Sequence, residues 1–148
     1  LQGFVHDEAS AFFGGLAGNA GLFSTARDVA RVYQMLLNGG EIDGQRYLSK
    51  ETCQLFTTET SKISRRGLGF DKPDADDPKK GNCAPAAPAG VYGHTGFTGT
   101  CAWVDPVNEL VYVFLSNRIY PDVTNRKLNQ LHIRERIQGA IYDAMKKK

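Results

Sequence analysis

The chain has 148 residues, about one domain, and its 41% apolar and 23% charged composition excludes a wholly disordered polypeptide. Eighteen Lys plus Arg against sixteen Asp plus Glu leave +2, too little and too dispersed for a nucleic-acid surface. No apolar run approaches the roughly 20 residues that span a bilayer, and the three cysteines have no C-x-x-C spacing for zinc and no even count for a disulfide framework.

In chain order, residues 1–23 read as a loop punctuated by Gly14-Gly15, Gly18 and Gly21. Leu1 is neither an initiator Met nor part of a signal-like segment, so the chain reads as a piece of something longer. Thr25 and Asp28 form a T-x-x-D capping box ahead of Val29, Val32, Tyr33, Leu36 and Leu37 at helical spacing. Asn38-Gly39-Gly40 stops that helix. Asp43-Gly44 predicts a tight turn between short extended pieces, and Ser49 caps a second helix ending near Phe56.

Residues 67–70 predict a short strand. Residues 71–90 hold four prolines and four aspartates, which predicts an exposed, irregular loop insertion. Strands follow over 91–95, 98–104 and 109–117, and the unbroken apolar run from Leu110 to Leu115 calls for cover on both faces. A last helix is predicted over 125–147, with Ile133, Ile137, Ala140, Ile141 and Ala144 as its buried stripe. This order gives an α+β fold, an antiparallel sheet with flanking helices, in one partial domain over residues 1–148.

Few residues are candidates for chemistry. His6-Asp7-Glu8 lacks the H-E-x-x-H spacing of a zinc helix. Its carboxylates are better suited to anchoring a loop through backbone N–H groups, with a place near a site rim left open. Gly15, Gly18 and Gly21 lack the Lys-Ser/Thr pair of a phosphate loop and read as turn residues. Ser24 and Ser49 are explained as helix caps, His132 as a surface or half-buried residue of the last helix and Cys101 as core. We expect neither a metal nor a cofactor.

The strongest signal is Gly93-His94-Thr95-Gly96-Phe97-Thr98-Gly99-Thr100, running into Cys101-Ala102-Trp103-Val104-Asp105-Pro106. Glycines flanking a His-Thr pair allow close approach of a ligand, Thr offers a hydroxyl and His a tunable cation, a pairing suited to a carboxylate. A glycine-rich hairpin with an incidental histidine accounts for the composition equally well.

Gly93-His94-Thr95-Gly96 resembles the K-T-G box of serine β-lactamases and penicillin-binding proteins, in the H-T-G form of class C-like esterases and DD-peptidases. Residues 17–30, Gly67-Leu68-Gly69-Phe70, Trp103-Val104-Asp105-Pro106 and Leu115-Ser116-Asn117-Arg118 resemble other segments of that family, in order. The resemblance implies the C-terminal part of a β-lactamase-like serine hydrolase that forms and hydrolyses an acyl-enzyme of an amide, ester or β-lactam. It implies that Thr95 and Gly96 bind substrate, that His94 stands where the family's Lys shapes the local field, and that the backbone N–H of Phe97 is an oxyanion donor. It also implies a small-molecule or peptide-like substrate, no nucleic-acid partner, the N-terminal part of the same domain as partner, and a periplasmic or envelope location.

The nucleophile pattern S-x-x-K occurs nowhere in the chain. The only look-alike of the family's Y-x-N or S-x-N box upstream is Tyr47-Leu48-Ser49, and Ser116-Asn117 falls after the H-T-G box. The chain alone is therefore expected to be inactive. A non-catalytic carboxylate-binding module and a purely structural fragment are the alternatives.

Overall fold

In the computed structural model, which describes residues 3–58, 61–74, 76–77 and 81–146, the first regular element lies inside the segment predicted as loop. Helix α1 (Glu8–Phe12) is short and rests on its cap: the Asp7 side chain accepts from the Ser10 amide at 2.7 Å. Ser10 is fully buried, and its hydroxyl donates to Asn19, which closes the glycine-rich segment onto itself. A helix this short has no periodicity to detect, which is why the sequence reads as a loop.

Helix α2 (Ala26–Leu37) starts as predicted, with the Thr25 hydroxyl accepting from the Asp28 amide. Ser24 is one residue outside this cap rather than the cap itself. The predicted stripe is half-buried except at Val32, which is exposed. A small hairpin, β1 (Glu41–Ile42) and β2 (Gln45–Arg46), turns at Asp43-Gly44, and Ser49 caps α3 (Lys50–Thr57) through the Thr52 amide.

The main sheet has three antiparallel strands, β3 (Tyr92–Thr95), β4 (Cys101–Asp105) and β5 (Leu110–Phe114), in the order β3-β4-β5. Register pairs Gly93 with Trp103 and Trp103 with Tyr112, so Cys101, Trp103 and Tyr112 share one face. With Cys83 and Val91 they form the core, flanked by Ala87, Phe114 and Ile141. Helix α2 lies against β4 and β5. The fold is α+β.

Four expectations need correction. Residues 67–70 form no strand; Gly67 is in an isolated bridge, and Asp71, just beyond, bridges to Gly93. Residues 71–90 are irregular but not an exposed excursion, because Asp71, Lys72, Cys83 and Ala84 are buried; residues 75 and 78–80 lie outside the described set. Along β5, which is an edge of this sheet, only Tyr112 is buried, its neighbours are half-buried and Leu115 is exposed, so the expected cover of both faces is incomplete.

The fourth correction is the last helix. It is two helices, α4 (Lys127–Gln130) and α5 (Ile133–Met145), broken at His132, whose φ of 49° is left-handed. The predicted end at 147 lies outside the described residues. The buried face of α5 is Arg134, Gln138 and Tyr142, not the aliphatic stripe, and Ile137 is exposed. Spacing of four places these three on one face, and each finds a partner. The Gln138 carbonyl accepts from the Ala84 amide at 2.8 Å, Arg134 donates to Asn129 at 3.1 Å, and Tyr142 donates to Asp105 at 2.9 Å.

Asp105 joins this helix to the sheet. One oxygen accepts the Val107 and Asn108 amides of the β4–β5 turn; the other accepts Asn108 Nδ2 and the Tyr142 hydroxyl. Burial, then the bond to Asp105, pushes the Tyr142 phenol well above its ordinary value, so it stays a donor. Asp105→Ala strands several buried donors at once and should cost about 3 kcal/mol; Tyr142→Phe leaves Asp105 three other donors and should cost about 1–1.5 kcal/mol. Urea unfolding of both variants checks the ranking.

Candidate functional site

Strand β3 has an inner edge on β4 and an outer edge that is only partly occupied. At Gly93 the outer edge is closed, because its carbonyl accepts from the Asp71 amide at 2.7 Å and its own amide donates to Asp71 at 3.0 Å. At Gly96 the amide turns inward to the Thr100 carbonyl at 2.8 Å. Alternation along the strand therefore aims the Thr95 backbone outward, past the last bridged residue. Residues 96–99 form a tight turn closed by the Gly99 amide on the Gly96 carbonyl, and among the described residues no acceptor takes the Phe97 N–H.

The glycines of the box answer to the protein's own packing rather than to a ligand. A Cβ at Gly93 would sit 2.1 Å from the Ala102 carbonyl oxygen and 2.7 Å from the Trp103 ring. One at Gly96 would sit 2.3 Å from the Thr100 hydroxyl. At Gly93 the neighbour is backbone and cannot yield without moving the sheet, whereas at Gly96 it is a side-chain hydroxyl that would have to change rotamer.

Phe97 is held although its ring is 64% exposed. The Arg118 guanidinium lies 4.6 Å over that ring, and its Nε donates to the Phe97 carbonyl at 2.8 Å. The Arg118 amide and the Ser116 hydroxyl both bond the Thr98 carbonyl. His6 stacks on the Phe97 ring at 5.5 Å. The N-terminal triplet thus divides its work: Asp7 anchors the loop and His6 reaches the rim.

His94 has two ring contacts. Nδ1 is 2.6 Å from the Thr95 carbonyl oxygen and Nε2 is 3.1 Å from Arg66 Nη1. Thr95, Gly96 and Phe97 border a cavity of about 500 Å³ whose other walls include Arg118, His132 and Arg134. His132 enters this wall because the helix breaks there, which the sequence reading as a plain helix residue missed. Arg66, distant from the box in sequence, carried no signal of its own, and Arg118 stood in the resembling 115–118 segment without a role.

The remaining candidates are accounted for structurally. The Ser49 hydroxyl is committed to its helix cap, the Ser24 hydroxyl lies 3.5 Å from the Thr25 carbonyl, and Tyr47 donates to Gln45 on an exposed hairpin. Cys101 and Cys83 are buried, and burial pushes their thiols up to about 11 and about 12, so both stay protonated and unreactive near neutral pH.

Asp71 holds the site from outside. Arg65 meets its carboxylate with Nε 2.8 Å from Oδ1 and Nη2 3.1 Å from Oδ2, while Asn82 donates to Oδ2 at 2.8 Å. Burial alone would raise this carboxyl; the bonds from Asn82 and Arg65 and the charge of Arg65 outweigh it and hold it below the usual range.

The sequence model of the family described as Beta-lactamase matches residues 2–135. A protein of Escherichia coli (strain K12) named "Putative D-alanyl-D-alanine carboxypeptidase" is 37% identical over 130 residues, covering 87% of this chain and 30% of that protein. Its namesake in Salmonella agona (strain SL483) is 38% identical over 136 residues, with the same coverages of 87% and 30%. The chain spans about three-tenths of the length of the curated relatives it matches.

A carboxyl lowered by folding stabilises the protein above its unfolded value, near about 4, and that contribution is lost as pH falls through the folded value. Asp71→Asn should therefore be less stable than the native chain at pH 7, with the gap closing below about pH 4. The single tryptophan, Trp103, reports the unfolding by fluorescence. A gap that stays constant down to pH 2 contradicts the assignment.

Proposed function

The chain belongs to the beta-lactamase family, and we propose that it forms the substrate-binding wall of a serine acyl-transfer site within one domain of a longer polypeptide. The observation that carries this is the open stretch of the β3 edge beyond Gly93. There the Thr95 backbone and the unclaimed Phe97 N–H sit beside a cavity large enough for a small peptide-like substrate.

In this reading a serine outside these 148 residues attacks an amide, ester or β-lactam carbonyl, because no S-x-x-K is present within them. Negative charge grows on the carbonyl oxygen, and the Phe97 N–H is one of its donors, preset by the turn and by Arg118. Thr95 donates its hydroxyl to the substrate carboxylate or leaving group, with Gly96 lining the same wall. His94 occupies the position of the family's Lys. Water then releases the acyl group from the serine. The named relatives make a peptide ending in D-alanine the first substrate to test.

The isolated chain should bind without chemistry: a fluorescent penicillin should label none of its serines, and stoichiometric labelling seen by mass spectrometry would sink that expectation. In the longer protein, Thr95→Val removes a hydrogen bond to a charged group and should lower kcat/KM roughly ten- to a hundred-fold. Phe97→Ala keeps the N–H and should be far milder. Should a folded Phe97→Ala protein prove the more damaged, the ring and not the backbone is the working part.

A further inference from the structure

We infer that Arg66 is a positioning residue of this site: it holds His94 as a neutral imidazole protonated on Nδ1, and it carries the positive charge beside the Thr95 strand itself. The argument is one of donors and acceptors. A carbonyl oxygen can only accept, so Nδ1, 2.6 Å from the Thr95 carbonyl, carries the proton. A guanidinium can only donate, so Nε2, 3.1 Å from Arg66 Nη1, is bare. A doubly protonated ring would turn an N–H toward a cation and lose that bond. The cation of the box is therefore the arginine, with the histidine as its acceptor.

The loop that carries Arg66 is fixed from several sides. Arg65 is locked on the buried Asp71, and Asp71 is paired with the Gly93 backbone one residue before His94. A Cβ on Gly67 would sit 2.5 Å from the Thr58 carbonyl oxygen, and the Gly67 amide donates to the Phe70 carbonyl. Phe70 packs edge-on against Tyr92 at 5.4 Å. Two adjacent arginines thus divide the task, one anchoring and one reaching to His94. The tautomer follows from these contacts alone; that the charge serves an anionic substrate group rests on the function proposed above.

The test has two arms. In the ¹⁵N-labelled 148-residue chain at pH 8, long-range proton–nitrogen correlation should show the His94 ring protonated on Nδ1 and bare on Nε2, with His6→Asn and His132→Asn assigning the signals. Arg66→Lys keeps a donor and should preserve this pattern. Arg66→Glu offers Nε2 an acceptor while Nδ1 stays on the Thr95 carbonyl, so its ring should be protonated on both nitrogens at a pH where the native ring is still bare on Nε2. A native ring protonated on Nε2 at pH 8, or an Arg66→Glu ring that gains its second proton at no higher pH than the native one, overturns the inference.

The second arm uses the longer protein. Arg66→Glu should lower kcat/KM roughly tenfold for a carboxylate-bearing substrate and less than about threefold for its methyl ester, with Arg66→Lys within about threefold of native on both. Equal losses on acid and ester overturn the charge role while leaving the hydrolase reading intact. A native protein without hydrolytic activity instead sinks that reading, and the NMR arm still decides the tautomer.

Discussion

The site rests on one buried carboxylate. Asp71 is inaccessible to solvent, yet it is fully engaged: Arg65 and Asn82 on its oxygens, Gly93 on its backbone. A lone carboxylate there would be costly, and breaking such a pair by removing one partner is far worse than never having built it. The pairing with Gly93 closes the outer edge of β3 at one residue and no further. Because of where it stops, no strand pairs with Thr95 on that side, its carbonyl meets the His94 ring instead, and the Phe97 N–H has no acceptor among the described residues. Because Arg65 is drawn to Asp71, Arg66 is delivered to His94. The same residue thus marks the end of the covered edge through its backbone and holds the neighbouring arginine loop through its carboxylate.

The opposite side is held by a different kind of polar network. Helix α5 presents Arg134, Gln138 and Tyr142 to the interior, and each meets a backbone or side-chain group of another segment. An aliphatic stripe would have packed more cheaply but would not fix the helix in register with the β4–β5 turn through Asp105 or with the irregular segment at Ala84. Arg134 belongs both to this network and to the cavity wall. The turn that carries Phe97 is gripped by Arg118 and Ser116 from the segment after β5. A free N–H is useful as a donor only if its direction is fixed before the charge appears.

Local chemistry was legible in the sequence. Thr25 and Ser49 cap the helices they were expected to cap, Asp43-Gly44 turns a hairpin, and the three strands form one antiparallel sheet as expected. The H-T-G segment lies at the end of β3, within the strand expected over 91–95. What failed depends on distant partners. The inner face of α5 looks like a solvent face by residue type, and only the partners at Ala84, Asn129 and Asp105 reveal it as buried. His132 reads as an ordinary helical residue, and the left-handed break there has no glycine to announce it. Arg66 lies 28 residues before His94 and outside every segment that carried the resemblance, Arg118 stood in one of those segments without a role, and His6 was left open as a rim residue 88 residues away. The glycines of the box were noticed for a sound reason, close approach, although the approaching group is Trp103 and Thr100.

The central claim is that the β3 edge beyond Gly93 is a preset oxyanion and carboxylate wall. A crystal structure of the longer protein inhibited by a carboxylate-bearing boronic acid, whose tetrahedral adduct with the serine mimics the tetrahedral intermediate, tests it directly. The account places one boronate oxygen about 3 Å from the Phe97 nitrogen and the carboxylate on the Thr95 hydroxyl, with the 96–99 turn unmoved. A boronate bound elsewhere, or one whose oxygen meets donors of other residues while the Phe97 N–H stays unused, contradicts it.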